Sequence, residues 1–180
     1  MNTIEAVFLD RDGTIGGGDT IHYPGAFELY PFTQALIDRL KEDGIRILSF
    51  TNQPGISEGK AAMQEFVDEL LGFGFDEALI CPHLHDEGCG CRKPGIEMLL
   101  RGAAKYQLHL ENCAVIGDRW SDMAAAHKVN CVKILVKTGA GQSMLDEHRD
   151  KISGLHIDYV ARDLADAVDW LYRNFNMEKE

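Results

Sequence analysis

The stretch AVFLDRDGT, Ala6 to Thr14, is a short apolar run that stops at two carboxylates, Asp10 and Asp12, and a glycine. A run of this length bounded by turn residues fits a strand buried on both faces, and Gly13 permits a bend where the strand ends. The pattern recurs at RILSF (46–50), ALICP (78–82), CAVIGD (113–118) and CVKILV (131–136), and more weakly at DYVA (158–161). Between these runs, apolar residues return every three or four positions, as on one face of a helix. Leu164, Ala167, Val168, Leu171, Tyr172 and Phe175 form the clearest stripe, with Asp163 placed to cap its start. Ile96, Leu99, Leu100 and Ala103 form another, and Phe66, Val67, Leu70 and Leu71 a third. Nearly continuous apolar strands alternating with helices predict an α/β fold: a three-layer, doubly wound, Rossmann-like parallel sheet covered on both faces. Residues 1–180 are read as a single domain.

Composition narrows the function. At 45% apolar and 26% charged residues the chain is an ordinary globular sequence, with neither repeats nor low-complexity segments. The opening MNTIEAVFLD has no basic region or long apolar run, and no later stretch approaches the roughly 18 apolar residues of a membrane span. A cytoplasmic chain with no membrane partner is expected, acting as a monomer. The formal charge of −11 disfavours a general grip on nucleic acid, so any phosphate must be met by local cations. Five cysteines without a secretion signal argue against a disulfide framework and leave metal binding or burial.

In a doubly wound fold, ligands bind at the carboxyl ends of the strands. Four polar clusters fall there: Asp10 to Thr14, Thr51-Asn52-Gln53, the cysteine-rich segment after residue 80, and Gly117-Asp118 followed by Ser121-Asp122. Asp10 and Asp12 could divide the work of attack and proton transfer, although an Asp-rich turn alone does no more than end a strand. Asp118 and Asp122 taken alone serve equally as a helix cap and a first-turn charge. Together, clustered carboxylates repel unless a cation neutralises them, and magnesium suits oxygen ligands completed by water and phosphate. Thr51 and Asn52 offer donors to phosphoryl oxygens, Lys93 a compact positive charge, and Arg92 a bidentate grip on a second anionic group.

The segments FLDRDGT, SFTNQPGI, CRKP and VIGDRWSD, in this order, resemble the four motifs of haloacid dehalogenase superfamily phosphatases over about residues 4–136. Within that superfamily the chain is similar to the subgroup containing heptose bisphosphate phosphatases and the histidinol-phosphate phosphatase domain. The resemblance implies that Asp10 is a nucleophile forming an aspartyl-phosphate and Asp12 the general acid and base. It implies Thr51 and Lys93 as holders of the phosphoryl oxygens. Magnesium would be bound by Asp10, the main-chain carbonyl of Asp12 and Asp118, with Asp122 in support.

Cys81, His83, Cys89 and Cys91 have the composition of a closed structural zinc site, and the family pattern places zinc at the same four positions. His85 departs from that pattern and is expected to be exposed or outside the ligand shell. Zinc would stiffen the loop 81–93 and aim Arg92 and Lys93 at the catalytic edge. Cys113 and Cys131 lie inside strand runs and are expected in the core. The spacing between motifs leaves no room for a separate cap domain. The expected site is therefore open, walled by IGGGDTIHYPGAFELY, PGISEGK and the zinc loop, with His22, Tyr23 and Tyr30 as candidate substrate contacts. TNQPGISEGK and KILVKTGAG look like the heptose enzymes, while the short zinc loop and Asp118-Arg119 look like the histidinol-phosphate domain. Glu58 stands near where the heptose enzymes carry an arginine, and the segment after Thr14 lacks their usual Asn and Gly-Tyr pattern. The expected function is a magnesium-dependent phosphatase for a small phosphorylated metabolite of the heptose bisphosphate type. Histidinol phosphate, a nucleic-acid 3′-phosphate, and a non-catalytic zinc-stabilised module are the alternatives.

Overall fold

The computed structural model of the protein describes residues 2–178. Five parallel strands form the main sheet: β1 (Ala6–Leu9), β2 (Arg46–Ser49), β5 (Cys113–Gly117), β6 (Val132–Val136) and β7 (Tyr159–Ala161), in the order β2-β1-β5-β6-β7. Alternation along β1 divides the interior in two. Val7 and Leu9 face a core closed by helices α1 (Thr33–Glu42), α2 (Met63–Phe73) and α7 (Leu164–Asn174). Ala6 and Phe8 face a second core, closed by α3 (Glu97–Tyr106), α4 (Trp120–Lys128) and the short α5 (Gly141–Asp146) and α6 (Arg149–Ile152). Because both faces are covered at the centre of the sheet, β1 and β5 are apolar and fully buried, while the flanking strands carry Arg46, Ser49 and Lys133; Cys113 and Cys131 are buried.

The segment predicted as strand 78–82 is shorter and lies outside the main sheet. The chain of β2 breaks at Phe50 and resumes as β3 (Thr51–Asn52), which pairs with β4 (Ile80–Cys81) in a separate two-stranded sheet. The amides of Ser49, Thr51 and Gln53 donate to the carbonyls of Glu77, Leu79 and Cys81, so the segment still runs beside strand two and delivers the cysteine loop to the carboxyl edge.

Two helical stripes are rotated from their expected faces. In α3, Met98, Leu99 and Gly102 point inward while Leu100 is 49% exposed; in α2, Phe66 and Leu70 are inward and Leu71 is 46% exposed. Gly102 explains the first case. A Cβ there would stand 2.8 to 3.1 Å from side-chain atoms of Leu48, Phe8 and Leu79, so α3 turns its glycine to the sheet to approach it closely. The α7 stripe lies as expected, and the Asp163 carboxylate accepts the Asp166 amide at 2.9 Å as its cap.

Between β1 and β2 the chain has only a loop and α1, and between β3 and α3 only α2, β4 and the cysteine loop. No cap domain interrupts the fold among the described residues. No helix among the described residues is long and apolar enough to cross a membrane. Gly102→Val should lower the unfolding free energy by about 1–3 kcal/mol through overpacking, read as a lower urea midpoint with an unchanged slope.

Candidate active site

The sheet reverses its winding between β1 and β5, and the register Leu9↔Ile116 brings their carboxyl ends together. Asp10 therefore emerges beside Asp118. The α4 helix begins at the same place, with Asp122 in its first turn accepting the Arg119 amide at 3.0 Å. Ligand oxygens of Asp10, Asp118 and Asp122 lie within 4.8 Å of one another, and all three residues are buried. Lys93 enters from the cysteine loop and is buried too. Its Nζ donates to Asp10 Oδ1 at 3.0 Å, Asp122 Oδ1 at 2.5 Å and the Phe50 carbonyl at 2.7 Å.

Charge balance shows what this cluster needs. Burial, then the neighbouring Asp10 and Asp122, raise the Asp118 carboxyl well above its usual range. Burial raises Asp122 to about 6, with Lys93 opposing and Asp10 adding to the rise. For Lys93, burial works against the ammonium, but Asp10 and Asp122 outweigh it and raise the group. A divalent cation would take the place of the protons that Asp118 and Asp122 otherwise attract. The buried Asp118 Oδ1 has no hydrogen-bond partner among the described residues, as a metal-binding oxygen would not.

The other Asp118 oxygen is fixed by the loop after β6. The Ala140 amide donates to Oδ2 at 2.8 Å, and Thr138 Oγ1 donates to the Gly13 carbonyl at 2.7 Å, tying that loop to the first motif. Gly139 has φ +57°, and a Cβ there would stand 2.3 Å from Asp118 Oδ2 and 2.5 Å from the Gly13 Cα. KTGAG (137–141) is thus a brace for Asp118, a role its sequence did not disclose.

Asp12 stands outside the acidic trio with its carboxylate. Its oxygens accept Arg11 Nη1 at 2.9 Å, the His22 amide at 2.9 Å and Gln53 Nε2 at 2.8 Å. Gln53 also donates to Thr51 Oγ1 at 2.9 Å and so links the first two motifs. Asn52 braces the third: its Oδ1 accepts the Lys93 amide at 3.0 Å and its Nδ2 donates to the Lys93 carbonyl at 3.4 Å.

Asp10, Asp12, Thr51, Asn52, Arg92 and Lys93 all line one cavity of about 620 Å³. The lining also includes Asp19, Thr20 and Ile21 from the loop after β1, Pro54 and His85, and Arg119, Trp120 and Ser121 at the start of α4. Among the candidate substrate contacts, His22, Tyr23 and Tyr30 do not line this cavity. Tyr23 stacks edge-on to Phe66, and His22 and Tyr30 line a smaller cavity of about 290 Å³. Arg119, missed in the sequence, reaches across to donate from Nη2 to the Asp19 carbonyl at 2.6 Å. Its position directly after Asp118 was the available signal.

Cys81, His83, Cys89 and Cys91 converge in a second cluster, of which Cys89 also lines the cavity. The Cys81 and Cys89 sulfurs are 3.7 Å apart, and His83 Nδ1 lies 3.5 Å from Cys81 Sγ and 3.2 Å from Cys91 Sγ. A tetrahedral ion with metal–sulfur bonds of about 2.3 Å has ligand edges of about 3.8 Å, so the four atoms can close around one. The Arg92 amide donates to Cys89 Sγ at 3.4 Å. Against burial, which pushes the thiol up, that amide and the neighbouring Cys91 and Cys81 bring Cys89 down to about 7, within reach of the thiolate a metal requires. His85 is exposed and outside this cluster.

Residues 90–167 match the family described as HAD-hydrolase-like. The chain is 36% identical over 138 residues to the D-glycero-beta-D-manno-heptose-1,7-bisphosphate 7-phosphatase of Helicobacter pylori, covering 69% of this chain and 79% of that one. It is 33% identical over 156 residues to the enzyme of the same name from Pseudomonas putida, covering 80% and 89%. Among solved structures it superposes on the D,D-heptose 1,7-bisphosphate phosphatase of B. bronchiseptica, complexed with magnesium and phosphate, with a TM-score of 0.80 and 29% identity. That match covers 94% of this chain and 99% of the other. Gly139→Ala should displace Asp118 and weaken Mg²⁺ binding by about 10–100-fold, measured by calorimetric titration.

Proposed function

Because the chain belongs to the haloacid dehalogenase-like phosphatases, we propose that Asp10 is the nucleophile with which this phosphoric monoester hydrolase attacks a small phosphorylated sugar of the heptose bisphosphate type. The observation that carries the reading is the buried junction of Asp10, Asp118 and Asp122 with Lys93, opening into the cavity beside Thr51.

The residues divide the reaction as follows. Asp10 attacks phosphorus while the bond to the leaving oxygen breaks, and Asp12 gives that oxygen a proton. A water then attacks the aspartyl-phosphate, Asp12 takes its proton, and inorganic phosphate departs as the Asp10 oxygen–phosphorus bond breaks. Lys93 and Thr51 hold the phosphoryl oxygens during both displacements. Asp10, Asp118 and the Asp12 main-chain carbonyl, with Asp122 in support, would hold Mg²⁺, which supplies charge neutralisation of the transferring group. Zinc at Cys81, His83, Cys89 and Cys91 would be structural, since all four positions are protein ligands.

Arg92 faces the cavity from the cysteine loop, with its Nη1 held only by a long 3.5 Å contact to the His83 carbonyl. It is free to grip a second anionic group of the substrate, and Arg119 can approach the same ligand from the α4 side. Asn52 acts on substrate chiefly by holding the Lys93 main chain. The net charge of −11 disfavours a nucleic-acid 3′-phosphate as substrate.

A phosphate-release screen with Mg²⁺ over sugar phosphates and bisphosphates, histidinol phosphate and nucleotides tests this reading. A sugar bisphosphate should be turned over fastest, and folded Asp10→Asn should release no phosphate from any of them. Preference for histidinol phosphate, or turnover by Asp10→Asn, would count against it. Stripping zinc with excess Mg²⁺ present should reduce kcat/KM by up to about a hundredfold as Lys93 and Arg92 lose their support, with activity returning when zinc is restored.

A further inference from the structure

Arg11 lies between the two aspartates of the first motif and has no exposed surface. Its Nη1 donates to both Asp12 oxygens at 2.9 Å and to the His22 carbonyl at 2.6 Å. On the other side, Nε and Nη2 donate to the Glu69 carboxylate of α2 at 2.9 to 3.1 Å. Phe27 and Phe66 cover the guanidinium, at 3.8 and 4.9 Å from its carbon to their ring centres. With all three nitrogens engaged, no exposed surface and no place in the cavity lining, Arg11 has no route to a ligand in the cavity. A buried ion pair is a weak source of stability, since apolar residues of similar size often replace one without loss. What this pair does accomplish is geometric: it connects a rigid helix to the carboxylate at the cavity wall.

We propose that Arg11 and Glu69 are positioning residues that hold the Asp12 carboxylate where it exchanges a proton with the leaving-group oxygen. The proposal rests on the reading of Asp12 as general acid and base. As the Asp10 oxygen–phosphorus bond forms, the electron pair of the breaking bond passes to the leaving oxygen, and the Asp12 proton is delivered there. A carboxylate free to rotate about its side chain would spend little time in line for that transfer. Gln53 and the His22 amide also touch Asp12, but Gln53 sits on the strand-end segment and His22 on a loop, so Arg11 alone couples it to α2.

The value of proton donation grows with the basicity of the leaving group, so the test compares phenyl phosphate with p-nitrophenyl phosphate on the intact protein with Mg²⁺. For both esters kcat/KM reports the steps through loss of the phenol. Glu69→Gln turns an accepting oxygen into an NH₂ group that opposes the guanidinium and breaks its fork. Its kcat/KM should fall about tenfold or more further for phenyl phosphate than for p-nitrophenyl phosphate, in the direction set by Asp12→Asn. Arg11→Met would leave the half-buried Glu69 without its cation, so the second variant is Arg11→Met with Glu69→Met, which removes both charges and should show the same ester selectivity. Thermal melts followed by circular dichroism establish that each variant is folded. Equal losses on the two esters in both variants, with Asp12→Asn still selective, would overturn the clamp alone. An Asp12→Asn enzyme without ester selectivity would overturn the acid role, and the clamp with it.

Discussion

The contact of Lys93 with Asp10 and Asp122 is the constraint around which the carboxyl edge is arranged. One ammonium faces three buried carboxylates, counting Asp118, and attraction and repulsion are both strong where solvent is excluded. The surplus of negative charge is what a divalent cation would neutralise. Each element at this edge either presents one of these groups or restrains one.

The restraints come from regions that have little core of their own. The cysteine loop carries Arg92 and Lys93 and can be closed by a metal at its four ligands. The loop after β6 uses one threonine hydroxyl, one backbone amide and a glycine to set the rotamer of Asp118. Helix α2, far from the phosphate position in sequence, reaches Asp12 through Glu69 and Arg11. Polar contacts at loop positions thus fix the geometry of this edge, and a metal at the cysteine loop would add to them. The cavity has both Arg92 and Arg119 in its lining, which suits a ligand carrying more than one polar group.

Much of the fold was legible because burial on both faces writes an apolar run into the central strands, and a cap such as Asp163 is a local signal. The helix faces were less so. Leu71 and Leu100 are apolar yet outward, because the inward face of α3 is chosen by Gly102, whose role is to be small. The strand 78–82 shrank to two residues because its partner, strand two, breaks at Phe50. Glu69 carried a readable signal, a charge beside the apolar pair Phe66 and Leu70. Its partner Arg11, 58 residues away, could not be inferred from it.

The sequence by itself determined the alternation of strands and helices, the polar clusters at the strand ends and the four-ligand cysteine loop, all properties of neighbouring residues. Tertiary structure decided the pairings: Lys93 with Asp10 and Asp122, Thr138 with the Gly13 carbonyl, Gln53 with Asp12, and Arg11 between Asp12 and Glu69. Pattern along a chain reports whether a side chain is buried. The partner it meets depends on which distant segments the packed sheet brings to the same edge.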